Sequence, residues 1–481
     1  MATQVDDRGA RSSITGKELQ TWANVGQQIE ELARFVAATL WDDVPAEVRH
    51  HTKLVLLDTL GVILAGAERP EVRRLRQQLG TVTGATVFCP GWPTHDPRTA
   101  ALLNGIAGRS VELCEGLRFV SGQAAMQVLP GVLAVGESAR RPGREMLTAL
   151  LVGYDVAARL AGGFTPRPLA HQNGQVSLVA AAAAGARLRG LDAAGTSSAM
   201  RIATTLVLTP SYTNAVAGAT ALNVAGGMSG FAAALAPELA LAGFAAEADA
   251  VEHAFSQLVG DGFQPDRLTD ELGSTWHIMR NYFRLYACCN PIHPALDCLA
   301  SILADLRPKP EDIARIDIAT YRFAAVMRNP DPPNFFASKY SLPHAAATMA
   351  VRGRINHASL DDTALDDPQI AALRHRVTVT EDTEMSAVAP ALRPARVTVV
   401  LTDGRQANHA CESHRGDFQD PFAESELRDK FRELAGGALE SEGIRLVEQA
   451  VDDCENWDDV GALTALFRKY GRQASTASHV L

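Results

Sequence analysis

Residues 46–66 read AEVRHHTKLVLLDTLGVILAG, a long apolar run with the pattern of an α-helix. Pro45 stands just before this run and Gly66 closes it, at positions where proline commonly begins and glycine commonly ends a helix. Similar patterns recur upstream in residues 29–40 and downstream in residues 98–114, 129–140, 143–162 and 176–190. The first 280 residues are therefore predicted to be overwhelmingly helical, in helices rich enough in Ala and Gly to pack closely.

The pattern changes after about residue 310 of the sequence. The segments ARIDIATYRF, RHRVTVTED and ARVTVVLTDGRQANHA read as strands, and the last is a hairpin with Asp403 and Gly404 at its turn. Helical segments lie between them, and the chain is helical again from DPFAESELRDKFREL onward. The sequence predicts a mainly α fold in two domains. The proposed division is a tail (1–26), a helical domain (27–283), an α+β lid (284–412), a return segment of the helical domain (413–470) and a second tail (471–481).

Composition narrows the class of protein. Hydrophobic residues make up 47% and charged residues 21% of the 481, which is typical of an ordered soluble protein. The net charge of −10 makes nucleic acid and anionic lipid improbable partners. The N-terminus shows no signal or transit peptide, and residues 222–245 read as a buried helix rather than a membrane span. Seven scattered cysteines without CxxC spacing favour a reducing cytoplasm over a disulfide scaffold or zinc finger.

Four polar segments interrupt the apolar helices, and a site would have to be built from them because no phosphate loop, dinucleotide fingerprint, GxSxG or HExxH is present. In the first, Glu112, Glu115 and Arg118 follow each other at intervals of three, on one side of a helix if the helix extends that far. A solvated ladder of salt bridges explains the spacing equally well.

In the second segment, His171 and Asn173 precede a long helix, whose N-terminus can hold a carboxylate and keep the pKa of an imidazole near neutrality. Helix capping is the alternative.

The third segment, YFRLYACCNPIHPALD, brings Arg284, Tyr286 and His293 into a turn that its two prolines keep from being helical. A capping turn with buried thiols is the alternative. The fourth, ASKYSLPHAAATMAV, places Lys339 and Tyr340 at the start of a helix, where the lysine is either solvated or part of an anion clamp.

These segments, in this order, resemble the MmgE/PrpD family, which includes 2-methylcitrate dehydratase, cis-aconitate decarboxylase and iminodisuccinate epimerase. The resemblance is carried by LLDTLGVILAG, LLNGIAGRSVELCE, NPIHPALD and ASKYSLPHAAATMAVRG. It implies a large helical domain built from both chain ends, a smaller α+β lid, a homodimer and an active site in the cleft between the domains. It also implies that no metal and no organic cofactor take part.

Carried over residue by residue, the resemblance keeps two family histidines and loses two other groups. His171 and His293 fall on family histidines, whereas Gln123 stands where the family has a third. The family's catalytic lysine falls near Ala219, and no lysine occurs from residue 187 to residue 308. Glutamine cannot exchange a proton near neutral pH, so unaltered 2-methylcitrate dehydratase activity is not expected.

The function expected from these features is that of a cofactor-independent lyase or isomerase that removes a proton next to a carboxylate of a small di- or tricarboxylic acid. His171 is the expected base, with His293 or Tyr286 handling the second proton. The expected substrate-binding residues are Arg118, Glu112, Glu115, Gln123, Arg284, Lys339 and Tyr340, and the main members of both sets are expected to meet in one cleft. Three alternatives stay open: a metal enzyme that uses Glu112, Glu115 and His171, a ligand-binding paralogue without turnover, and a structural dimer.

Overall fold

The structure, a computed structural model, describes residues 16–119 and 122–473. Its fold is mainly α, as the sequence predicted. The helices of ten or more residues are α1 (Gly16–Ala38), α2 (Ala46–Gly66), α3 (Pro70–Leu79), α4 (Pro97–Arg109), α5 (Ala124–Ser138), α6 (Gly143–Gly163), α7 (Val176–Leu188), α8 (Ala193–Ala203), α9 (Val224–Leu241), α10 (His293–Leu306), α11 (Leu342–Arg352), α12 (Glu424–Ala435), α13 (Ser441–Asp452) and α14 (Gly461–Tyr470).

Helix α9 lies at the centre of the helical part, packed against α4, α5 and α7. Small residues let these helices approach closely: a Cβ on Gly105 of α4 would lie 2.7 Å from the Cα of Gly227 in α9. A side chain larger than hydrogen would push the two backbones apart, so the predicted close packing of Ala- and Gly-rich helices is confirmed.

The segment around α9 has the length and composition of a membrane span. Thr220–Leu241 has a mean hydropathy of 1.3 over its most apolar window, and 56% of that window is buried in the protein. Core helices of globular proteins pass the same test, and the packing of α9 against three neighbouring helices is that of a core helix.

The C-terminal helices return to the first part of the chain, where α12 packs along α2. The contact is intimate, because a Cβ on Gly61 of α2 would lie 3.1 Å from the ring of Phe431 in α12. One apolar core accordingly joins residues of 29–283 to residues of 427–467.

A four-stranded sheet dominates the middle of the chain. Its strands are β1 (Ile313–Thr320), β2 (Val377–Glu381), β3 (Ala395–Leu401) and β4 (Gln406–Cys411). They lie in the order β2-β1-β3-β4, with β2 parallel to β1 and the other neighbours antiparallel. The turn between β3 and β4 holds Gly404 at a φ of 87°, which glycine adopts without strain. All three predicted strand segments and the hairpin are confirmed.

A second apolar core lies beneath this sheet, where α10 packs on β3 and β4. It also takes in a few side chains of the helical part, among them Val62, Val111, Leu113 and Met126. The two cores therefore meet along a seam beside the end of α4. Domain boundaries at 283/284 and 412/413 remain a prediction.

Two local expectations are wrong. Helix α1 begins at Gly16, so residues 16–26 belong to it rather than to a tail; residues 1–15 and 474–481 lie outside the described residues. Helix α4 ends at Arg109, and Glu112 has a φ of 54° in the left-handed region. Glu112, Glu115 and Arg118 therefore do not share one face of a helix.

Candidate active site

A small cavity lies at the seam between the two cores and has a volume of about 80 Å³. We call it the anion cavity. Residues of the helical part supply one side, and residues of the 282–293 turn, the α11 region and the segment before β3 supply the other. Its lining comprises Arg109, Glu112, Gln123, His171, Asn173, Tyr212, Tyr282, Arg284, Cys289, Asn290, Pro291, Phe323, Tyr340 and Arg393.

A buried charge cluster forms the floor of the anion cavity. Arg284 donates from Nη1 to Glu112 Oε2 at 2.6 Å and to the Glu112 carbonyl at 3.0 Å. Tyr340 donates its hydroxyl to Glu112 Oε1 at 2.7 Å and accepts from Arg109 Nη2 at 3.0 Å. Arg109 also forms an ion pair with Glu112. One carboxylate thus orients two guanidinium groups, and burial raises the pKa of Tyr340 so that its phenol stays protonated.

The local chain path explains why Glu112 reaches both arginines. Helix α4 ends at Arg109, and the left-handed backbone at Glu112 turns the chain sharply within three residues. The turn brings the Glu112 carboxylate against the guanidinium of Arg109 and also against that of Arg284, which comes from the 282–293 turn. Arg109 and Arg284 each keep an Nε without a hydrogen-bond partner among the described residues.

Arg393 is the third guanidinium in the anion cavity, and it is only 7% exposed. It donates from Nη1 to Asn290 Oδ1 and from Nη2 to the carbonyl of Arg118 at 3.1 Å. Asn290 in turn contacts His414 Nε2 through its Nδ2 at 2.8 Å, and His414 Nδ1 lies 2.9 Å from the Arg415 carbonyl. The chain of bonds is consistent with a neutral His414 that donates from Nδ1 and accepts at Nε2, which fixes the Asn290 amide and through it Arg393.

The lining charges do not cancel. Arg109, Arg284 and Arg393 face the anion cavity, and Glu112 is the one carboxylate among its lining residues. This leaves an excess of two positive charges in a buried site, where electrostatic attraction is much stronger than in water. The anion cavity is therefore complementary to a small dianion, and guanidinium groups suit carboxylates through paired N–H donors.

His171 is the imidazole of the anion cavity. Its ring stacks on Tyr212 with centroids 5.5 Å apart, and its Nδ1 accepts from the backbone N–H of Asn173 at 3.2 Å. Burial first, and then the charge of Arg109, lower the pKa of His171 to about 3. The ring is therefore neutral at physiological pH, and because Nδ1 accepts from the backbone, its single proton lies on Nε2, which is a hydrogen-bond donor.

Amide side chains hold the loop that carries His171. Asn173 donates from Nδ2 to Gln123 Oε1 at 3.1 Å, and Gln127 donates to Asn173 Oδ1 at 3.3 Å. Gln127 also accepts from the backbone N–H of Gly174 at 2.8 Å. Gln123, which stands where the resemblance placed a histidine, thus acts in this structure as an acceptor for the loop.

Five of the ten predicted site residues line the anion cavity: Glu112, Gln123, His171, Arg284 and Tyr340. The expectation that all the principal candidates share one cleft is corrected here, because Arg118, Glu115, Tyr286, His293 and Lys339 do not line it. Each of these five side chains forms its hydrogen bonds or ion pairs in another part of the structure. Whether any residue acts in catalysis remains a prediction.

The first two of these residues serve structural contacts. Arg118 donates to Ser413 Oγ at 2.9 Å and Gln419 Oε1 at 2.8 Å, and pairs with Asp417 at 3.3 Å. Glu115 accepts from the Tyr154 hydroxyl at 2.6 Å and from the backbone N–H of Ala125 in α5 at 3.0 Å, and burial raises its pKa to about 7. Because α4 ends early, neither side chain follows Glu112 into the cavity.

The other three lie within or behind the second core. Tyr286 donates its hydroxyl to Asp297 at 2.7 Å and lines a different cavity. His293 does not line that cavity either, and its Nε2 lies 3.1 Å from the Cys288 carbonyl. Lys339 is fully buried, donates to the Leu360 carbonyl at 2.7 Å and lies over the Phe335 ring. Burial lowers the pKa of Lys339 to about 7.

Sequence reasoning missed several residues of the anion cavity, chiefly Arg109, Arg393 and Tyr212. Arg109 stands three residues before Glu112, so an ion pair between them was a readable signal. Arg393 and Tyr212 carried no signal, because their place in the cavity depends on contacts between distant parts of the chain.

The metal alternative has no ligand set in the described part of the chain. No group of three or more His, Cys, Asp or Glu side chains there is arranged to hold a metal ion. Glu112 is bound by two arginines and Tyr340, whereas Glu115 is bound by Tyr154 and the backbone of α5.

Fold and site together define a mainly helical protein with a second α+β core and a buried, arginine-lined anion cavity at the seam. Family models agree with this class: the MmgE/PrpD N-terminal domain matches residues 30–267 and the MmgE/PrpD C-terminal domain matches residues 286–454. The chain belongs to the MmgE/PrpD family.

Curated relatives match over nearly the whole chain at low identity. A cis-aconitate decarboxylase-like protein, oryM, of Aspergillus oryzae is 24% identical over 92% of this chain and 97% of its own length. Cis-aconitate decarboxylase of Aspergillus terreus is 23% identical over 97% of this chain and 98% of its own. The Homo sapiens cis-aconitate decarboxylase is 23% identical over 88% of this chain and 90% of its own length. These relatives and the family support an enzyme rather than a purely structural protein.

Proposed function

We propose that this protein is a cofactor-independent lyase that acts on a small di- or tricarboxylic acid, with decarboxylation as its first candidate reaction. The observation that carries the proposal is the anion cavity with its excess of two positive charges and its neutral imidazole. The relatives named cis-aconitate decarboxylase support the choice of decarboxylation over elimination or epimerisation.

The residues divide the chemistry between binding and proton transfer. Arg393 and Arg109 would hold the carboxylates that stay on the substrate, since both guanidinium groups line the anion cavity. His171 would carry the proton: once a dianion is bound, its neutral ring would take up a proton from solvent, pass it to the substrate carbon and return to the neutral form. In decarboxylation the carbon–carbon bond to one carboxylate breaks, carbon dioxide leaves, and the electron pair left on carbon takes up a proton. Nearby guanidinium groups stabilise the negative charge that develops.

One observation favours a second function, a ligand-binding protein without turnover. Gln123 lines the anion cavity at the place of an expected histidine, and its amide is engaged with Asn173. A protein of this kind would bind acids in the same cavity and release them unchanged. The homodimer and the cytoplasmic location stay predictions for either function.

The test is incubation of the purified full-length protein with cis-aconitate, with carbon dioxide release and product formation followed together by NMR. A parallel reaction with 2-methylcitrate reports the dehydratase activity that the sequence argues against. Carbon dioxide released in step with consumption of the acid supports the proposal. Calorimetric binding of cis-aconitate without turnover supports the ligand-binding function, and neither binding nor turnover of any small acid refutes both.

A further inference from the structure

A second cavity adjoins the anion cavity. It has a volume of about 400 Å³ and is lined by Tyr321, Arg322, Phe323, Val326, Ser386, Ala389, Pro390 and Arg393. We call it the outer cavity. Phe323 and Arg393 belong to the linings of both cavities, so these two side chains form the wall between them.

That wall is connected to His171 through one intervening ring, Tyr212. The Phe323 ring lies 5.2 Å from Tyr212, and Tyr212 stacks on His171 at 5.5 Å. Tyr321, which lines the outer cavity, donates its hydroxyl at 3.3 Å to the carbonyl of Pro291, which lines the anion cavity. Phe323 is 45% exposed, so rotation of this ring costs little packing and would join the two spaces.

The anion cavity alone is too small for a carboxylic acid of the expected class. Its volume is only about 80 Å³. A small-molecule site normally encloses most of its ligand and has a volume of about 300 to 1,000 Å³. The outer cavity supplies the missing volume, and any part of a ligand beyond its carboxylates would extend there.

The walls of the outer cavity indicate what that part of the ligand is. Tyr321, Phe323, Val326, Ala389 and Pro390 present rings and aliphatic groups to it. The Ser386 hydroxyl is already engaged, because it accepts from the backbone N–H of the neighbouring Arg322 at 2.8 Å. Two arginines also line it: the buried Arg393, which it shares with the anion cavity, and Arg322, which is exposed to solvent. The lining thus changes from a buried carboxylate partner, Arg393, to a mainly apolar surface with Arg322 at the solvent.

We propose that the substrate is an amphiphilic acid, with two carboxylates in the anion cavity and an apolar chain in the outer cavity, a conclusion that rests on the proposed function of the anion cavity. The Phe323 ring separates the two cavities, and the apolar chain of the substrate would displace it. Selectivity for long over short acids follows from burial of the chain against Val326 and its neighbours rather than from further hydrogen bonds.

The experiment measures binding of inert dicarboxylates by calorimetry on the full-length protein: succinate, methylsuccinate, butylsuccinate and hexylsuccinate. Each added methylene is expected to tighten binding by about fourfold, which corresponds to about 0.8 kcal/mol, until the chain fills the outer cavity. Val326→Trp fills that cavity and is expected to abolish the gain with chain length, read as the ratio of hexylsuccinate affinity to succinate affinity within the same variant. Val82→Trp, at a valine 56% exposed on another part of the surface, is the matched control.

Val326 is 52% exposed, which leaves room for the larger side chain. If Val326→Trp lowers the melting temperature, Val326→Ser gives the same readout, because it removes apolar wall and is expected to reduce the gain per methylene.

The outcomes separate the two proposals. Succinate that binds with no gain from longer chains overturns the amphiphilic substrate and leaves the proposed function standing. Absence of binding by succinate, together with absence of turnover of any acid, overturns the proposed function itself. The exposed Phe323, Val326 and Val388 would also fit an interface between two copies of the chain. A Val326→Trp variant that changes the oligomeric state in sedimentation, with alkylsuccinate binding unaltered, assigns the outer cavity to that interface and overturns the proposal.

Discussion

Replacement of His171 by asparagine tests the proton carrier of the anion cavity. Asparagine keeps a polar side chain on the loop that Asn173 and Gln123 hold together, so the fold is expected to be unchanged. It cannot accept or give up a proton near neutral pH, and loss of a general acid or base costs about a hundredfold to ten thousandfold in rate. We expect kcat on the acid that the wild type converts to fall by that amount.

The pH dependence makes this prediction sharper. Burial and the charge of Arg109 lower the pKa of His171 to about 3, so the free protein holds a neutral ring throughout the range from pH 5.5 to 8. An imidazole with its ordinary pKa of about 6.5 would produce a bend near pH 6.5 in the profile of log kcat/KM against pH, whether it acts as an acid or as a base. We expect the profile of the wild type to show no bend there, after correction for ionisation of the substrate itself.

The matched control is His375→Asn, at a histidine on the surface of the second core that pairs with Asp331. It is expected to keep full activity and an unchanged pH profile. Circular dichroism and thermal melts of both variants show whether folding is preserved. Full activity of a folded His171→Asn protein refutes the assignment, and a bend centred near pH 6.5 in the wild-type profile refutes the burial argument even if the variant is inactive.

Three further predictions follow from the buried charges. Arg393→Gln removes a charge-assisted contact worth about 1.5 to 3 kcal/mol, so calorimetric affinity for succinate is expected to fall about tenfold or more, whereas Arg396→Gln at an exposed site on β3 should not change it. Glu112→Gln leaves two buried guanidinium groups without their carboxylate, so the free energy of unfolding measured in urea should fall by about 3 to 5 kcal/mol. The affinity for succinate should rise, because the variant removes a negative charge from the cavity. His344 is buried with neither ring nitrogen bonded among the described residues, and burial lowers its pKa to about 3. Between pH 7 and pH 5 the unfolded chain binds a proton at this histidine and the folded chain does not, so the wild type loses stability as the pH falls. The His344→Phe variant should lose about 2 kcal/mol less stability than the wild type over that interval.

Local signals predicted the fold well. The run at 46–66 forms α2 with the bounds that its flanking Pro45 and terminal Gly66 indicated. The Asp403-Gly404 pair forms the β3–β4 turn, because only glycine adopts the positive φ there without strain. The Ala- and Gly-rich segments pack as closely as their composition suggested. In each case the information lies within a few residues of the element that it determines.

The candidate site was predicted only in part, because its formation depends on where helices end and on contacts across the chain. Spacing placed Glu112, Glu115 and Arg118 on one helix face, yet α4 ends at Arg109 and a left-handed residue redirects the chain. Lys339 lies next to Tyr340 in sequence, but only Tyr340 reaches the anion cavity. Arg393 reaches it from a segment that no motif marks.

The charges of the anion cavity also connect substrate binding to proton transfer. Arg109 is the charged neighbour that, after burial, keeps His171 from holding a proton. A bound dianion matches the excess of two positive charges and offsets that repulsion, so the proton affinity of His171 rises when the cavity is filled. An imidazole that becomes basic only beside its substrate needs no lysine near Ala219 and no imidazole at Gln123 to adjust its pKa. In the proposed function, the acid itself would supply the negative charge that lets His171 act as a proton carrier at neutral pH.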